Sequence, residues 1–217
     1  NVKLKSGQET EINAPGPKVT HSQFEQLLSQ IRRTTKDDIV IVAGSVPNSI
    51  PSDAYAQIAQ ITEKTGAQLV VDAEKDLVET VLPYRPLFIK PNKDELEVMF
   101  NTTVKSDEDV IKYGKEILKK GAQSVIISLG GDGAIYVDQH QSIKAVNPQG
   151  HVVNTVGSGD STVAGMVAGL SMDLNVDEAF QQAVASGTAT AFSEDLATRD
   201  AIENIKSQVT ISVLDGE

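Results

Sequence analysis

The sequence predicts an α/β fold with three layers, in which a mostly parallel sheet lies between two layers of helices. Short apolar runs typical of strands in such a sheet occur at 39–43, 69–71, 87–89 and 125–129. Amphipathic helical patterns lie between these runs, and this alternation favours parallel strands joined by right-handed crossovers. The chain has 217 residues, of which 40% are hydrophobic, and these values are typical of one folded domain. Residues 1–217 are therefore predicted to form a single domain.

Capping signals predict where three of the helices begin and end. A capping box starts at Thr20 and precedes the first amphipathic pattern. Ser52 is predicted to cap a second helix, and Gly66 follows its end. A third helix is predicted to begin after Ser106 and to stop at Gly121, with acidic residues in its first turn and basic residues in its last.

Other segments interrupt the strand and helix alternation. Residues 2–12 alternate around a Ser-Gly pair and predict a hairpin, as do residues 134–146. The stretch 159–192 is rich in Ala, Gly and Ser and is predicted to be helical. The run 39–43 is continuously apolar, which predicts a strand covered on both faces.

Composition excludes several classes of function. The chain has 19 Lys and Arg against 30 Asp and Glu, a net charge of −11, which argues against nucleic-acid binding. It has no cysteine, so disulfides, thiolate nucleophiles and Cys-type zinc sites are excluded. The three histidines lack metal-ligand spacing. With no long apolar run and no apolar leader, a cytoplasmic protein without a membrane partner is expected.

A glycine-rich segment at a predicted helix start is the strongest candidate for chemistry. Gly157, Ser158 and Gly159 allow a turn whose backbone N–H groups, together with the helix dipole, can hold a phosphate. Asp160 follows in the first turn, where its carboxylate can accept a proton from an attacking hydroxyl. The alternative is that these residues form only an N-cap and a tight turn.

Three further polar segments follow predicted strands, and the topology is expected to bring them to the same edge of the sheet. The first, 44–47, begins with Gly44. In the second, Asn92 and Glu95 share one face at a helix start, where they can hold Mg²⁺ with its waters or simply complement the helix dipole. In the same segment, Lys90 faces a substrate phosphate or is a solvated charge.

The third segment is a glycine-rich turn between two predicted strands. The glycines of the stretch 128–133 would let the phosphates of a nucleotide approach the backbone closely. The alternative is an ordinary hairpin turn around the Asp-Gly pair that ends this stretch, and turn glycines are common.

These motifs together resemble those of the ribokinase-like (PfkB) carbohydrate kinases. NTVGSGDS at 154–161, with Ala164 and Gly165, resembles the second signature of that family. Further matches follow in the family's order, so that the resemblance covers essentially the whole chain: 13–17, 44–47, 90–95, 128–133 and 186–189. The resemblance implies a ribokinase-like fold.

The resemblance also implies roles for individual residues. Asp160 matches the catalytic base, which also contacts the substrate. The remaining matches are an anion hole at Gly157, Ser158 and Gly159; ATP-binding residues Ser128, Gly130, Gly131, Gly133, Ser186 and Gly187; a metal and phosphate pair, Asn92 and Glu95; and substrate-binding residues Gly44 and Lys90.

The implied reaction is phosphoryl transfer from ATP, with Mg²⁺, to a phosphorylated ketohexose. The segments at 15–17, 44–47 and 154–156 most resemble members that convert fructose 1-phosphate to fructose 1,6-bisphosphate. Members that act on tagatose 6-phosphate come next, and a nucleotide-binding fragment without activity is the other alternative. A Rossmann dehydrogenase is disfavoured, because no G-x-G-x-x-G follows the first strand.

The start of the chain departs from the family pattern. Family members begin with a strand that carries a substrate-binding Asp and then a Gly-Gly motif, and neither precedes the motifs here. The expectation is therefore the carboxyl-terminal part of a longer kinase, with the N-terminal strands and most of the β lid missing and residues 1–14 as the lid's remnant. A homodimer formed through the lid is the expected assembly of the longer protein.

Overall fold

The structure is a computed structural model that describes the backbone of residues 2–6, 8–12 and 16–216 and the side chains of residues 16–216. The strands are β1 (Val2–Ser6), β2 (Gln8–Ile12), β3 (Ile39–Ala43), β4 (Gln68–Asp72), β5 (Phe88–Ile89), β6 (Ser124–Ser128), β7 (Ala134–Val137), β8 (Gln141–Val146) and β9 (Thr210–Gly216). The helices are α1 (His21–Ile31), α2 (Ala54–Thr65), α3 (Lys75–Val81), α4 (Lys93–Phe100), α5 (Asp107–Lys120), α6 (Ser158–Ser171), α7 (Val176–Ala191) and α8 (Arg199–Lys206).

Seven strands form one mixed sheet in the order β3-β4-β5-β6-β7-β8-β9. The pairings from β3 to β6 are parallel, and those from β6 to β9 are antiparallel. Helices connect the parallel strands, as the alternation of patterns predicts. The carboxyl ends of β3, β4, β5 and β6 therefore lie along one edge of the sheet, which is where open α/β sheets bind ligands.

The predicted three layers are confirmed by the way the sheet divides the core. Val125 and Ile127 of β6 pack in a cluster that includes residues of α1 to α5, whereas Ile126 packs in a second cluster with α6 and α7. All three side chains are fully buried, because successive residues of a strand point to opposite faces and both faces here carry helices.

Most of the predicted caps are present. Thr20 forms the capping box of α1, Ser106 accepts a hydrogen bond from the N–H of Asp109 at the start of α5, and Gly66 ends α2 in the left-handed conformation with φ of 81°. The predicted cap of α2 at Ser52 is wrong. That helix begins at Ala54, because residues 51–53 first form a turn closed by a hydrogen bond from Ala54 N to Pro51 O.

The predicted helical stretch at 159–192 consists of two helices rather than one. Asp173 lies between them in the left-handed conformation, with φ of 58°, and Asn175 accepts a hydrogen bond from the N–H of Glu178 to cap α7. The break lets α7 turn back and pack along α6.

Both predicted hairpins are confirmed as antiparallel strand pairs, β1 with β2 and β7 with β8. The turn residue Gly7 and residues 13–15 of the motif at 13–17 lie outside the described residues. The prediction that 39–43 is covered on both faces is wrong. Ile41 is 44% exposed and belongs to neither core cluster, so its face of β3, the end strand of the described sheet, is not covered there by helices.

Within residues 16–216, none of the helices is both long enough and apolar enough to cross a membrane.

Candidate active site

Three of the polar segments meet at the carboxyl edge of the parallel strands, as the sequence predicts. Gly44 donates its N–H to the carbonyl of Asp72 at 2.9 Å, and Lys90 donates its N–H to the carbonyl of Val71 at 3.1 Å. Asn92 forms a parallel bridge with Ser128. These backbone bonds continue the sheet beyond its strands and hold the segments after β3, β5 and β6 side by side.

A buried ion pair lies at the centre of this edge. The Nζ of Lys90 is 3.2 Å from Oδ2 of Asp72, and the two side chains are only 7% and 18% exposed. The interpretation of Lys90 as a solvated charge is therefore wrong. A Cβ placed on Gly159 would lie 3.3 Å from the Nζ of Lys90 and 3.8 Å from Oδ2 of Asp72, so the pair sits against the start of α6.

Asp72 was not singled out from the sequence, although it is the first polar residue after the apolar run 69–71. Burial raises the pKa of its carboxyl above the usual value, the charge of Lys90 opposes that rise, and the nearby carboxylate of Asp160 adds to it. Because the charge of Asp160 acts on Asp72, Asp160 lies close enough to the ion pair for the charges to interact. Asp160 itself is exposed at the edge of the sheet.

The start of α6 presents backbone N–H groups that the helix does not use. Gly157 is the N-cap, with φ of 81°, and no side chain caps the helix. The first helical hydrogen bond runs from the N–H of Ser161 to the carbonyl of Gly157 at 2.8 Å, so the N–H groups of Gly159 and Asp160 precede the helical ladder. Together with the helix dipole they form a place where an anion can bind.

Ser158 differs from its neighbours because its hydroxyl is buried. Its Oγ has no hydrogen-bond partner in the described part of the chain. Its N–H makes a long contact of 3.3 Å with the carbonyl of Thr155. The Asx-type bond from Val156 N to the Asn154 side chain, at 3.1 Å, shapes the turn that leads into it.

Ser186 and Gly187 lie in α7 behind the start of α6. Ser186 is 4% exposed and donates its hydroxyl to the carbonyl of Gln182 at 2.8 Å. A Cβ on Gly187 would lie 2.2 Å from Oγ1 of Thr162 and 2.9 Å from the carbonyl oxygen of Ser158. The absence of a side chain at Gly187 therefore lets α7 approach the residues that begin α6.

Replacing Gly187 by alanine is expected to destabilise the fold by about 1–3 kcal/mol, because the added methyl group must push α6 away from α7. Urea unfolding measured by circular dichroism gives the free energy. The matched control is Gly131→Ala, since a Cβ there meets nothing within 4 Å. Equal stability of the two variants would contradict the close approach at Gly187.

Asn92 and Glu95 form a capping box at the start of α4. The side-chain Oδ1 of Asn92 accepts a hydrogen bond from the N–H of Glu95, and Oε2 of Glu95 accepts one from the N–H of Asn92, both at 2.8 Å. The sequence left open whether this pair holds Mg²⁺ or only serves the start of the helix, and the capping box shows that it does serve the helix start. The capping bonds engage the single amide oxygen of Asn92 and one of the two carboxylate oxygens of Glu95, and Asn92 is exposed to solvent.

The glycine-rich segment after β6 is a tight turn that leads into β7. Leu129 donates its N–H to the carbonyl of Gly133 at 2.8 Å, and Gly133 donates to Gly130 at 3.2 Å. Gly133 has φ of 93°, and a Cβ there would lie 1.9 Å from the carbonyl oxygen of Ala145, so no other residue fits. Cβ atoms on Gly130 and Gly131 would meet nothing within 4 Å, which leaves the outer side of the turn open.

Gly44 begins the loop after β3 and is held from two sides. Its carbonyl accepts a hydrogen bond of 2.7 Å from the hydroxyl of Tyr55, in α2. Burial raises the pKa of Tyr55 to about 12, with a smaller contribution from the charge of Asp72, so the hydroxyl stays protonated and remains a donor at neutral pH. The loop is therefore anchored next to the Asp72 and Lys90 pair.

The donor set around the ion pair fits a magnesium ion bound together with phosphates. In residues 16–216, no three acidic or histidine side chains form a group able to hold a metal by themselves. Mg²⁺ is usually held by one or two carboxylates, several waters and the phosphates of a substrate. Asp72 and Asp160, whose charges interact, and the partly engaged Glu95 provide carboxylates of that kind near the carboxyl edge.

Comparison with known proteins places this arrangement in a family. The pfkB family carbohydrate kinase pattern matches residues 2–201. A 1-phosphofructokinase from Bacillus subtilis is 41% identical over 214 residues, which are 99% of this chain and 71% of that protein. A D-tagatose-1-phosphate kinase from Bacillus licheniformis is 34% identical, with coverage of 99% and 71%.

A solved structure agrees with these sequence matches. A Staphylococcus aureus protein, described as a candidate phosphofructokinase, is 80% identical and superposes with a TM-score of 0.91 over 99% of this chain and 70% of that one. The resemblance seen in the sequence motifs is thereby confirmed over nearly the whole chain. The protein belongs to the pfkB family of carbohydrate kinases, which makes it a phosphotransferase that acts on a sugar hydroxyl.

Proposed function

We propose that this chain transfers the γ-phosphoryl group of ATP to the C6 hydroxyl of fructose 1-phosphate, giving fructose 1,6-bisphosphate and ADP. The observation that carries the proposal is the juxtaposition of Lys90, Asp72 and the uncapped start of α6, with Asp160 beside them. The choice of sugar is supported by the identity of 41% to the B. subtilis 1-phosphofructokinase, against 34% to the tagatose-phosphate kinase.

In this proposal, Asp160 accepts the proton of the C6 hydroxyl as the hydroxyl oxygen attacks the γ-phosphorus. A bond forms between that oxygen and the phosphorus, the bond from the phosphorus to the bridging oxygen of ADP breaks, and ADP leaves with the bridging electrons. The charge that spreads over the transferring group is stabilised by the backbone at Gly157, Ser158 and Gly159 and by the ammonium group of Lys90.

The nucleotide is proposed to run from the start of α6 to the glycine turn after β6. Ser128, Gly130, Gly131 and Gly133 would receive its phosphates and ribose along the open outer side of the turn. Ser186 and Gly187 are proposed to lie near the adenine, and their packing against α6 gives them an indirect effect on the anion hole as well.

Mg²⁺ is proposed to be held by the ATP phosphates, with Asp72, Asn92 and Glu95 contributing directly or through water, while Asp160 stays free to accept the proton. When bound, it would supply positive charge that offsets the phosphates. The protein's own part is to keep Lys90 paired with Asp72, so that one carboxylate of the cluster is already neutralised.

The sugar phosphate is proposed to contact the loop at Gly44, which Tyr55 anchors beside Asp72. A tagatose phosphate is the second candidate substrate, favoured by the D-tagatose-1-phosphate kinase among the relatives. Tagatose 6-phosphate is the alternative substrate expected from the motifs. The third possibility is a nucleotide-binding chain without activity, and one assay distinguishes all of these candidates.

The test is the release of ADP from Mg-ATP in the presence of fructose 1-phosphate, tagatose 1-phosphate or tagatose 6-phosphate, followed in a coupled assay. The highest kcat/KM with fructose 1-phosphate is expected. A higher kcat/KM with either tagatose phosphate would show that this sugar, and not fructose 1-phosphate, is the substrate. If calorimetry showed ATP binding but no sugar phosphate was turned over, the chain would be a nucleotide-binding protein without kinase activity.

An intracellular setting, where ATP is available, is part of the same proposal. The homodimer through the lid, expected of a longer protein that carries the whole lid, stays a prediction, and light scattering of that longer protein would test it.

A further inference from the structure

Asn147, directly after β8, connects the glycine turn to α7. Its side-chain Nδ2 donates hydrogen bonds to the carbonyl oxygens of Gly130 at 3.1 Å and Gly131 at 3.4 Å. Its Oδ1 accepts a hydrogen bond of 2.9 Å from Oγ1 of Thr188, a residue of α7 that is 6% exposed. Neither Asn147 nor Thr188 belongs to the site residues that the motifs indicate.

The chemistry of the partners fixes the orientation of the Asn147 amide. The carbonyl oxygens of Gly130 and Gly131 can only accept hydrogen bonds, so they require the NH₂ end of the amide. The oxygen end must then face Thr188, whose hydroxyl can donate. The glycine carbonyls therefore select the amide orientation, and the Thr188 hydroxyl, which can donate or accept, anchors the oxygen end of Asn147 to α7.

Holding a carbonyl also sets the direction of the next N–H group. In a trans peptide the C=O of one residue and the N–H of the following residue point in opposite directions. With the carbonyl of Gly130 bonded both to Asn147 and to the N–H of Gly133, the N–H of Gly131 is directed to the other side of the turn. Glycine has wide conformational freedom, and Cβ atoms on Gly130 and Gly131 would have no neighbours within 4 Å, so packing does not hold this part of the turn.

We propose that Asn147 is a positioning residue that holds the glycine turn in the shape that receives the nucleotide phosphates, and that Thr188 holds its side chain in place against α7. The inference rests on the proposed role of that turn in binding ATP. Because α7 also packs against the start of α6 at Gly187, Thr188 ties the nucleotide turn and the anion-binding end of α6 to the same helix.

The experiment compares ATP binding and steady-state kinetics for the intact chain and four variants. Asn147→Ala loses both bonds to the turn and is expected to raise KM and Kd for ATP about tenfold, with kcat and the KM for the sugar phosphate within about twofold. Thr188→Val is expected to raise the KM and Kd for ATP about three- to fivefold, and Thr188→Ser is expected to have normal values of both. The double variant Asn147→Ala/Thr188→Val is expected to be no worse than Asn147→Ala alone.

The control is Asn204→Ala, an exposed asparagine of α8, which is expected to bind ATP normally. A merely structural role for Asn147 would lower the midpoint of thermal unfolding but leave the KM for ATP unchanged, and that result would overturn the inference. So would additive effects in the double variant. If the unmodified chain did not bind ATP, the proposed function would fail together with the inference, whereas normal ATP binding by Asn147→Ala would remove the inference alone.

Discussion

Replacing Asp160 by asparagine is expected to lower kcat by about 10²–10⁴-fold while the affinity for ATP changes little. Asparagine has nearly the size of aspartate and keeps the exposed position in the first turn of α6, but it cannot accept the proton of the sugar hydroxyl. The coupled ADP assay gives kcat, and calorimetric titration with ATP gives the affinity. The loss of the carboxylate also removes one of the charges that raise the pKa of Asp72.

Asp76→Asn is a matched control, because Asp76 is likewise an exposed aspartate in the first turn of a helix, α3, and lies outside the proposed site. Its turnover is expected to equal that of the unmodified chain. Near-normal turnover of Asp160→Asn would show that another group accepts the proton, and the role proposed for the α6 entrance would have to be abandoned.

Replacing Lys90 by methionine is expected to lower kcat by about 10²–10³-fold and the free energy of unfolding by about 3–5 kcal/mol at neutral pH. Methionine fills a similar volume but leaves the Asp72 carboxylate buried without its partner. The catalytic loss follows because the ammonium group beside Gly159 no longer offsets the charge of the transferring phosphoryl group.

The loss of stability should depend on pH in a defined direction. Asp72 already has a raised pKa, and removing Lys90 raises it further, since the charge of Lys90 is what opposes the effect of burial. Between the unfolded pKa and this raised folded pKa, the native state binds more protons than the unfolded state, so its stability falls as pH rises. The difference between Lys90→Met and the unmodified chain is therefore expected to be larger at pH 8 than at pH 5 in urea unfolding.

A second substitution separates the two effects of Lys90. In Lys90→Met/Asp72→Asn no buried charge is left unpaired, so most of the stability is expected to return while activity stays low. Recovery of activity in this double variant would mean that Lys90 serves only to pair Asp72. A Lys90→Met chain as stable at pH 8 as at pH 5 would contradict the assignment of Asp72 as the group that titrates.

Local signals predicted the parts of the site that depend on neighbouring residues. The glycine-rich entrance of α6, the turn after β6 and the helix start at Asn92 and Glu95 were each recognisable, because a turn or a helix start is specified within four or five residues. The periodicity of apolar residues also predicted three layers, since each strand and helix must bury a continuous face.

Contacts between distant segments were not predictable in the same way. Lys90 was compatible with either a phosphate ligand or a solvated charge until the structure paired it with Asp72, which follows a different strand. Asn147 had no distinguishing pattern, because its partners are 16, 17 and 41 residues away along the chain. The division of 159–192 into α6 and α7, by contrast, does have a local signal, because Asn175 is of a residue type favoured at helix N-caps.

By itself the sequence determined the α/β class, the order of the motifs and the residues proposed to bind phosphate and accept a proton, because these properties depend on local backbone preference and side-chain chemistry. Only the tertiary structure decided that Lys90 is buried against Asp72 and Gly159, and that Asn147 joins the glycine turn to α7. The parallel strands bring their carboxyl ends together in space. Burial there then favours polar groups that can form hydrogen bonds or ion pairs with one another.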